Sequence, residues 1–339
     1  MQKLFLLDAY ALIYRSYYAF IKNPRINSKG LNTSAIMGFL NTLNEVLTKE
    51  QPTHIGVAFD PHGPTFRSEA FPEYKAQREE TPEDIRKAVP IIKDLLQAYR
   101  IPILQVDGFE ADDVIGTLAK KAGSIGVETY MLTPDKDYGQ LVSDNVFIYR
   151  PRHGGGYETM GPREVCEKYG IPSTGSVIDL LALMGDSADN FPGCPGVGEK
   201  TAVKLINEFG SIEQLLARSS EIKGKLREKV EEHIDDIKMS YFLATIKTDV
   251  PIELDMENMK LVEPNEDELG KLLLELEMKS FAERVLKKSQ KPQTPVNGQL
   301  DLFAEFPLSA PTEAKHASFE TLQTTPHDYK LVENEEDLK

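Results

Sequence analysis

The chain has 339 residues, with 39 basic and 54 acidic side chains (net −15) and 40% hydrophobic residues, the make-up of a globular protein of about two domains. Its two cysteines, Cys166 and Cys194, form no Cys-x-x-Cys pair and have no histidine at finger spacing, which excludes a disulfide scaffold and a structural zinc site and fits a reducing, cytosolic setting. No apolar stretch approaches the roughly 20 residues needed to cross a bilayer, and the acidic balance argues against indiscriminate nucleic-acid binding while leaving room for a local basic track.

The first 150 residues repeat one pattern: a short apolar run, an acid at its end, then a segment of helical periodicity. This predicts an α/β unit with a mostly parallel sheet. The runs are Leu4 to Leu7 ending at Asp8, His54 to Phe59 ending at Asp60, Ile101 to Val106 leading into Glu110-Ala111-Asp112-Asp113, and Val127 to Leu132 followed by Thr133-Pro134-Asp135. After Glu110 the apolar residues Ala111, Val114, Ile115, Leu118, Ala119 and Ala122 define one helix face. Between Gly63 and Pro90 the chain is polar and strandless, and it reads as a mobile, partly helical excursion over the sheet edge. From about residue 173 the pattern turns helical, with Val177–Met184 and Lys200–Phe209 as helices and Gly193, Gly196 and Gly198 between them. From Ser289 a segment rich in Pro, Thr and Gln reads as a linker. Residues 291–339 carry four basic and nine acidic side chains, a third of the net excess, and there is no internal repeat.

Nine carboxylates are placed where chemistry would use them: Asp8, Asp60, Glu110, Asp112, Asp113, Asp135, Asp137, Asp186 and Asp189. Any one alone reads more readily as a helix cap or a solvated turn residue than as a functional group. As a set they sit at strand ends, where parallel sheets bind ligands, and carboxylates gathered in one crevice repel each other unless cations neutralise them. Oxygen donors without Cys or His favour Mg²⁺ or Mn²⁺, and two such ions roughly 4 Å apart suit phosphodiester hydrolysis. Lys75 and Arg78 are the candidate cations to offset the remaining charge. A phosphatase of the haloacid-dehalogenase type would need a second Asp where Tyr10 stands.

The turn Gly193-Cys194-Pro195-Gly196-Val197-Gly198 precedes a helix opening Glu199-Lys200-Thr201. Glycines allow close approach and the following helix offers free N–H groups to an anion. Residues 196–229 carry seven basic side chains against five glutamates, a local excess that favours a phosphate grip over mere helix packing.

Together, Leu7-Asp8 with Tyr14-Arg15, Phe59-Asp60 with Phe66-Arg67, Tyr74-Lys75-Ala76-Gln77-Arg78, Gly108 to Asp113, Asp135-Lys136-Asp137, Met184 to Asn190 and Gly198 to Ala202 resemble the 5′-nuclease domain of bacterial DNA polymerase I, in the flap endonuclease family, over about residues 1–287. Relatives more often have Gly where Ala9 stands. The resemblance implies a PIN-like fold: an α/β core over 1–172 with a helical arch at about 63–90, and a helical DNA-binding subdomain over 173–288 containing a helix–three-turn–helix. It implies a linker over 289–320, and over 321–339 the start of a 3′-5′ exonuclease-like domain with Tyr329–Val332 in its first strand, the chain being an N-terminal fragment. It further implies a bacterial cytoplasmic, nucleoid-associated, monomeric enzyme that cuts 5′ flaps and 5′ ends of nicked or branched duplex DNA with two Mg²⁺ or Mn²⁺ ions and K⁺ at the glycine turn. By the same resemblance the acids would divide into a tighter metal group (Asp60, Glu110, Asp112, Asp113, with Asp8 beside it) and a second one (Asp135, Asp137, Asp186, Asp189). Lys75 and Arg78 would reach the scissile phosphate with Tyr74 near the nucleotide, and Arg15, Arg67, Gly193, Gly196, Gly198, Lys200, Thr201 and Lys204 would hold DNA.

Overall fold

A computed structural model describes residues 2–152 and 155–286; the expected linker and the start of a following domain lie outside them. The chain begins with β1 (Lys3–Asp8), whose apolar residues are fully buried. It turns directly into α1 (Ala9–Ala19) because the Asp8 carboxylate accepts the Ala11 N–H at 3.1 Å and caps the helix. Then follow α2 (Ser34–Glu45), β2 (His54–Ala58), the short α3 (Phe66–Ala70), α4 (Glu83–Ala98) and β3 (Ile103–Leu104). The α5 helix (Ala111–Ser124) is capped by Glu110, and β4 (Glu128–Leu132), β5 (Val146–Pro151) and β6 (Tyr157–Met160) complete the sheet. The remainder is helical: α6 (Pro162–Tyr169), α7 (Ser176–Met184), α8 (Glu199–Phe209), α9 (Ile212–Ala217), α10 (Lys225–Glu232), α11 (Ile234–Ala244), α12 (Glu266–Glu275) and α13 (Lys279–Leu286).

The strands lie in the order β3-β2-β1-β4-β5-β6, parallel except for β6. Leu7 is in register with Val57 on one side and Leu132 on the other, so three strands end level. Strand order reverses beside β1, which places a crevice between the carboxyl ends of β1 and β4. Both faces are covered. Leu4, Leu6 and Met131 pack with Val114, Ile115 and Leu118 of α5 in a core that continues into the helices beyond residue 176. Phe5, Leu7, Ile55 and Val57 pack with residues of α1, α2, α4, α12 and α13. Each such fully buried aliphatic or aromatic side chain contributes about 1.5–3 kcal/mol.

Two expectations need revision. The excursion does not extend to residue 90, because α4 starts at Glu83 and buries Ile85, Ala88, Val89, Ile92, Leu95 and Leu96. Pro90 reads as a breaker in sequence, yet it sits on the exposed side of that helix. Its cost of about 3 kcal/mol is outweighed by the buried apolar row. The β5–β6 pair was also missed, although the run Val146 to Tyr149 before Gly154-Gly155-Gly156 carries a hairpin signal.

Candidate active site

The strand ends open into a cleft of about 640 Å³ lined by Asp8, Asp60, Glu110, Asp112, Asp135, Asp137 and Asp189, with Tyr74, Lys75 and Arg78 over it. Seven of the nine expected acids therefore share one cavity. The other two, Asp113 and Asp186, are close by but engaged elsewhere.

Asp113 is completely buried and its two oxygens accept four hydrogen bonds. Arg67 donates two of them at 2.8 Å, the Lys247 N–H a third at 2.8 Å and the Glu110 N–H the fourth at 3.1 Å. A carboxylate has about four acceptor positions, so a direct ion contact would replace one of these bonds; an oxygen of Asp113 lies with oxygens of Glu110 and Asp112 within 4.8 Å of one another, a group that could hold a metal ion. The expectation that Arg67 holds DNA is corrected. It is 1% exposed and also donates to Glu110 at 2.7 Å and to the carbonyls of Leu243 at 2.9 Å and Thr245 at 3.0 Å. It cannot meet a DNA phosphate. Instead, this guanidinium neutralises the acids at the start of α5 and ties them to the carboxyl end of α11. Burial works against the charge of Glu110, but Lys75 and then Arg67 hold its pKa below the usual value.

For the other acids burial dominates, as it does for Asp112 and Asp113 beside Glu110, whose carboxyls it raises despite Arg67. Burial, reinforced by Asp60, pushes the Asp8 carboxyl up to about 7. Asp60 is also raised by burial, although the Ala111 N–H at 2.8 Å opposes it. Burial raises Asp135, and burial together with Asp135 raises Asp137. Asp137 Oδ1 is buried with no hydrogen-bond partner among the described residues. An orphaned carboxylate oxygen beside further oxygen donors fits a hard divalent cation. Lys136 gives this group little help, since its amine pairs with Asp186 at 2.8 Å and holds that carboxyl low against burial.

Tyr138 was not singled out from the sequence. Fully buried on the 3₁₀ turn after Asp137, its hydroxyl donates to Asp8 Oδ2 at 3.2 Å, and Thr133 donates to the same oxygen at 3.2 Å. These contacts link the end of β1 to the loop after β4. Their sequence separations of 130 and 125 residues leave no local signal.

The expected arch lies over the cleft. Lys75, at φ +57°, pairs with Glu110, and Arg78 pairs with Asp189. The Tyr74 hydroxyl is 3.0 Å from Glu110 and 3.3 Å from Asp189. Segment 73–78 is joined to loop 187–190 by further hydrogen bonds, among them Lys75 N–H to the Asp189 carbonyl at 2.9 Å and Gln77 to the Ser187 carbonyl at 2.7 Å.

The glycine turn joins α7 to α8. Gly193 is buried and donates its N–H to Ser240 Oγ at 2.8 Å, and a Cβ on it would come within 2.2 Å of the Gly185 nitrogen. It is a backbone crossing and not a DNA contact, which corrects that expectation. Gly196, Gly198, Lys200 and Lys204 are exposed, Thr201 is half-buried, and α8 opens at Gly198 without a side-chain cap, leaving N–H groups for an anion. Arg15 is exposed on α1.

A mostly parallel sheet that brings carboxylates from several strand ends into one cleft beneath Tyr74, Lys75 and Arg78 has the oxygen-donor set that suits a hard divalent cation. Two family models match, the 5′-3′ exonuclease N-terminal resolvase-like domain over residues 3–170 and the 5′-3′ exonuclease C-terminal SAM fold over 173–267. The chain belongs to the 5′-3′ exonuclease family. It is 38% identical over 285 residues to the 5′-3′ exonuclease of Aquifex aeolicus, covering 84% of this chain and 96% of that protein. It is 42% identical over 287 residues to DNA polymerase I of Bacillus subtilis, covering 84% of this chain and 32% of the polymerase. The chain thus spans about a third of the DNA polymerase I relatives it matches. Among solved structures it resembles bacteriophage T5 5′-exonuclease with bound zinc (TM-score 0.60, 20% identity, 84% of this chain and 99% of that one). It also resembles the catalytic core of Rad2 in complex with DNA substrate (TM-score 0.57, 17% identity, 84% and 91%). Among the described residues no helix is long and apolar enough to cross a membrane.

Proposed function

We propose that the chain is a structure-specific 5′ nuclease that hydrolyses phosphodiesters at 5′ flaps and at the 5′ ends of nicked or branched duplex DNA. It would do so as a monomer in the bacterial cytoplasm, in primer removal and repair. The observation that carries this reading is the cleft itself: carboxylates from the ends of β1, β2 and β4 and from the start of α5 converge under Tyr74, Lys75 and Arg78, and one buried oxygen of Asp137 has no partner.

Asp60, Glu110, Asp112 and Asp113, with Asp8 beside them, would hold one Mg²⁺ or Mn²⁺, and Asp135, Asp137, Asp186 and Asp189 a second, Asp186 being steadied by Lys136. Bound there, the ions supply Lewis acidity toward a phosphodiester and lower the pKa of water. The chain's own groups do the rest. Lys75 and Arg78 exchange their carboxylate partners for the non-bridging oxygens of the scissile phosphate and stabilise charge that grows in the transition state. Tyr74, its hydroxyl kept protonated by burial and by Glu110, flanks the adjoining nucleotide. The exposed glycines of the turn with Lys200, Thr201 and Lys204 hold the duplex backbone, where carbonyls of the turn would take K⁺, and Arg15 holds a phosphate nearer the cleft. In this reading residues 1–172 carry most of the chemistry, and 173–288 supply the duplex grip together with Asp186 and Asp189.

The test is cleavage of a 5′-labelled flap duplex with Mg²⁺, with EDTA, and by an Asp137→Ala variant. Cutting at the junction, lost in both controls, is the expected result. Tight flap binding without cutting, in Mg²⁺ and again in Mn²⁺, would make the chain a DNA tether.

A further inference from the structure

Where α11 ends, the backbone of residues 243–247 is held by side chains from two directions. Arg67, which also pairs with Glu110 and Asp113, donates to the carbonyls of Leu243 at 2.9 Å and Thr245 at 3.0 Å, and Asp113 accepts the Lys247 N–H at 2.8 Å. From the other direction comes Gln140, half-buried on the 3₁₀ turn that opens with Asp137. Its amide nitrogen donates to the Ala244 carbonyl at 2.9 Å and to the Asp137 carbonyl at 3.0 Å, and its amide oxygen accepts the Ile246 N–H at 2.9 Å. The segment 243–247 is therefore a strap between the two groups of acids, one edge fixed to the start of α5 and the other to the turn that carries Asp137. Its residues Leu243 and Ala244 also line the acidic cleft. Leu141 of the turn and Ile246 of the strap meet over Gly116 of α5, where a Cβ would come within 3.2 Å of the first and 2.9 Å of the second.

The chemistry of this contact selects glutamine. A carbonyl and an N–H two residues apart on one chain need a donor and an acceptor side by side, which a primary amide offers and an ionised carboxylate or an aliphatic chain does not. The loop that carries Asp135 and Asp137 is already tied to β1, because Thr133 and Tyr138 both donate to Asp8. Gln140 adds a separate tie, to the elements that carry Glu110 and Asp113. Two ions act together on one phosphodiester when they sit roughly 4 Å apart, so the spacing between the acid groups matters as much as the composition of either. We propose that Gln140 is a positioning residue for the cleavage reaction: through the strap 243–247 it sets the distance of Asp135 and Asp137 from Glu110, Asp112 and Asp113. It acts without touching substrate or ion. The proposal rests on the 5′-nuclease reading and deepens it by assigning the spacing of its two ion sites to one side chain.

The experiment compares the full chain with Gln140→Met, which keeps the length of the side chain and loses its hydrogen bonds, and with Thr117→Val as a matched control. The Thr117 hydroxyl accepts the Val250 N–H at 3.1 Å and donates to the Lys247 carbonyl at 3.4 Å, so its loss loosens the same strap from the α5 side alone. Both variants should melt about 2–4 °C below the parent. With Mn²⁺ at equal occupancy, electron paramagnetic resonance should show a spin-coupled pair in the parent and in Thr117→Val, and no coupling in Gln140→Met. On the flap duplex Gln140→Met should lose roughly 100-fold in kcat with KM unchanged, and calorimetry should find its second Mn²⁺ bound about tenfold more weakly. Coupling that survives in Gln140→Met, coupling lost equally in Thr117→Val, or a loss confined to KM would each overturn the proposal. If the parent showed no coupled pair, the two-ion part of the nuclease reading would fail, and hydrogen exchange in EDTA would decide the positioning role by itself. Faster exchange across 133–140 and 243–247 together in Gln140→Met, against 243–247 alone in Thr117→Val, supports it, and unchanged exchange across 133–140 overturns it.

Discussion

Glu110 and Asp113, at the start of α5, rest against a guanidinium that the fold supplies, whereas Asp135 and Asp137, at the end of β4, have no such partner. Arg67 spends all its donor groups on the first pair and on two carbonyls. The lysine lying between Asp135 and Asp137 turns away to Asp186, and one oxygen of Asp137 is left orphaned. The first pair therefore meets a buried counter-charge before any ion arrives, although burial still raises Asp113 and its neighbour Asp112, whereas the second keeps an oxygen of Asp137 that only an added partner would satisfy. Strain of this kind at a site is tolerable only because the rest of the chain is well packed.

The contrast breaks most sharply at Arg67. Arg67→Met should leave Glu110 and Asp113 buried without a counter-charge and cost about 3–5 kcal/mol in urea unfolding; a loss below 1 kcal/mol would mean the acids do not depend on it. The pH dependence of the metal-free protein comes next. Asp8 ionises near 3.8 when unfolded and at about 7 when folded. Below both values the protonated acid costs nothing, and between them the unfolded chain releases a proton that the fold retains, so stability in EDTA should fall as pH rises from about 4 to 7. Saturating Mg²⁺ should flatten that fall, and an EDTA curve that rises over this window would contradict the account.

Asp137→Asn sharpens the comparison from the other side. Removing one charge from the repulsive group should raise the metal-free Tm by about 2–4 °C, equivalent to ~1 kcal/mol in a chain of this size, while most of the metal-induced Tm rise disappears. A metal-induced rise equal to the parent's would remove Asp137 from the ligand set. The smallest effect is expected for Tyr138→Phe, which deletes the hydroxyl held by Asp8 for about 1 kcal/mol. Calorimetry should find Mn²⁺ bound about tenfold more weakly, the usual result of losing a group that orients a ligand. Unchanged Mn²⁺ affinity would reduce Tyr138 to a packing residue.

The parallel sheet and its strand-end acids were legible because both are local: an apolar run that stops at Asp8 or Asp60 states its own boundary. The helices at 176 and 199 were legible for the same reason. Arg67 was not, because in sequence it is an arginine in a polar segment, and its partners lie 43, 46 and 176 residues away. The burial of an arginine is decided by acids that only the fold brings to it. The full engagement of Asp113 was hidden in the same way, since a carboxylate that already accepts four hydrogen bonds looks the same in sequence as one with lone pairs to spare. Gly193 was grouped with Gly196 and Gly198 by composition, and only the close passage of Gly185 separates the glycine that lets two backbone segments cross from those that face solvent.

That crossing ties two parts of the molecule to a single point. The loop carrying Asp186 and Asp189 leaves from Gly185, and the turn that opens α8 leaves from Gly193, so the loop proposed to bind metal and the turn proposed to grip the duplex share one anchorage. Neither can shift alone, and their separation is set by backbone contact and not by adjustable side chains. If the proposed function holds, the crossing works as a fixed gauge: the distance along a DNA strand from grip to cut is set by two glycines, and a chain altered there is expected to cut at the wrong nucleotide before it ceases to cut at all.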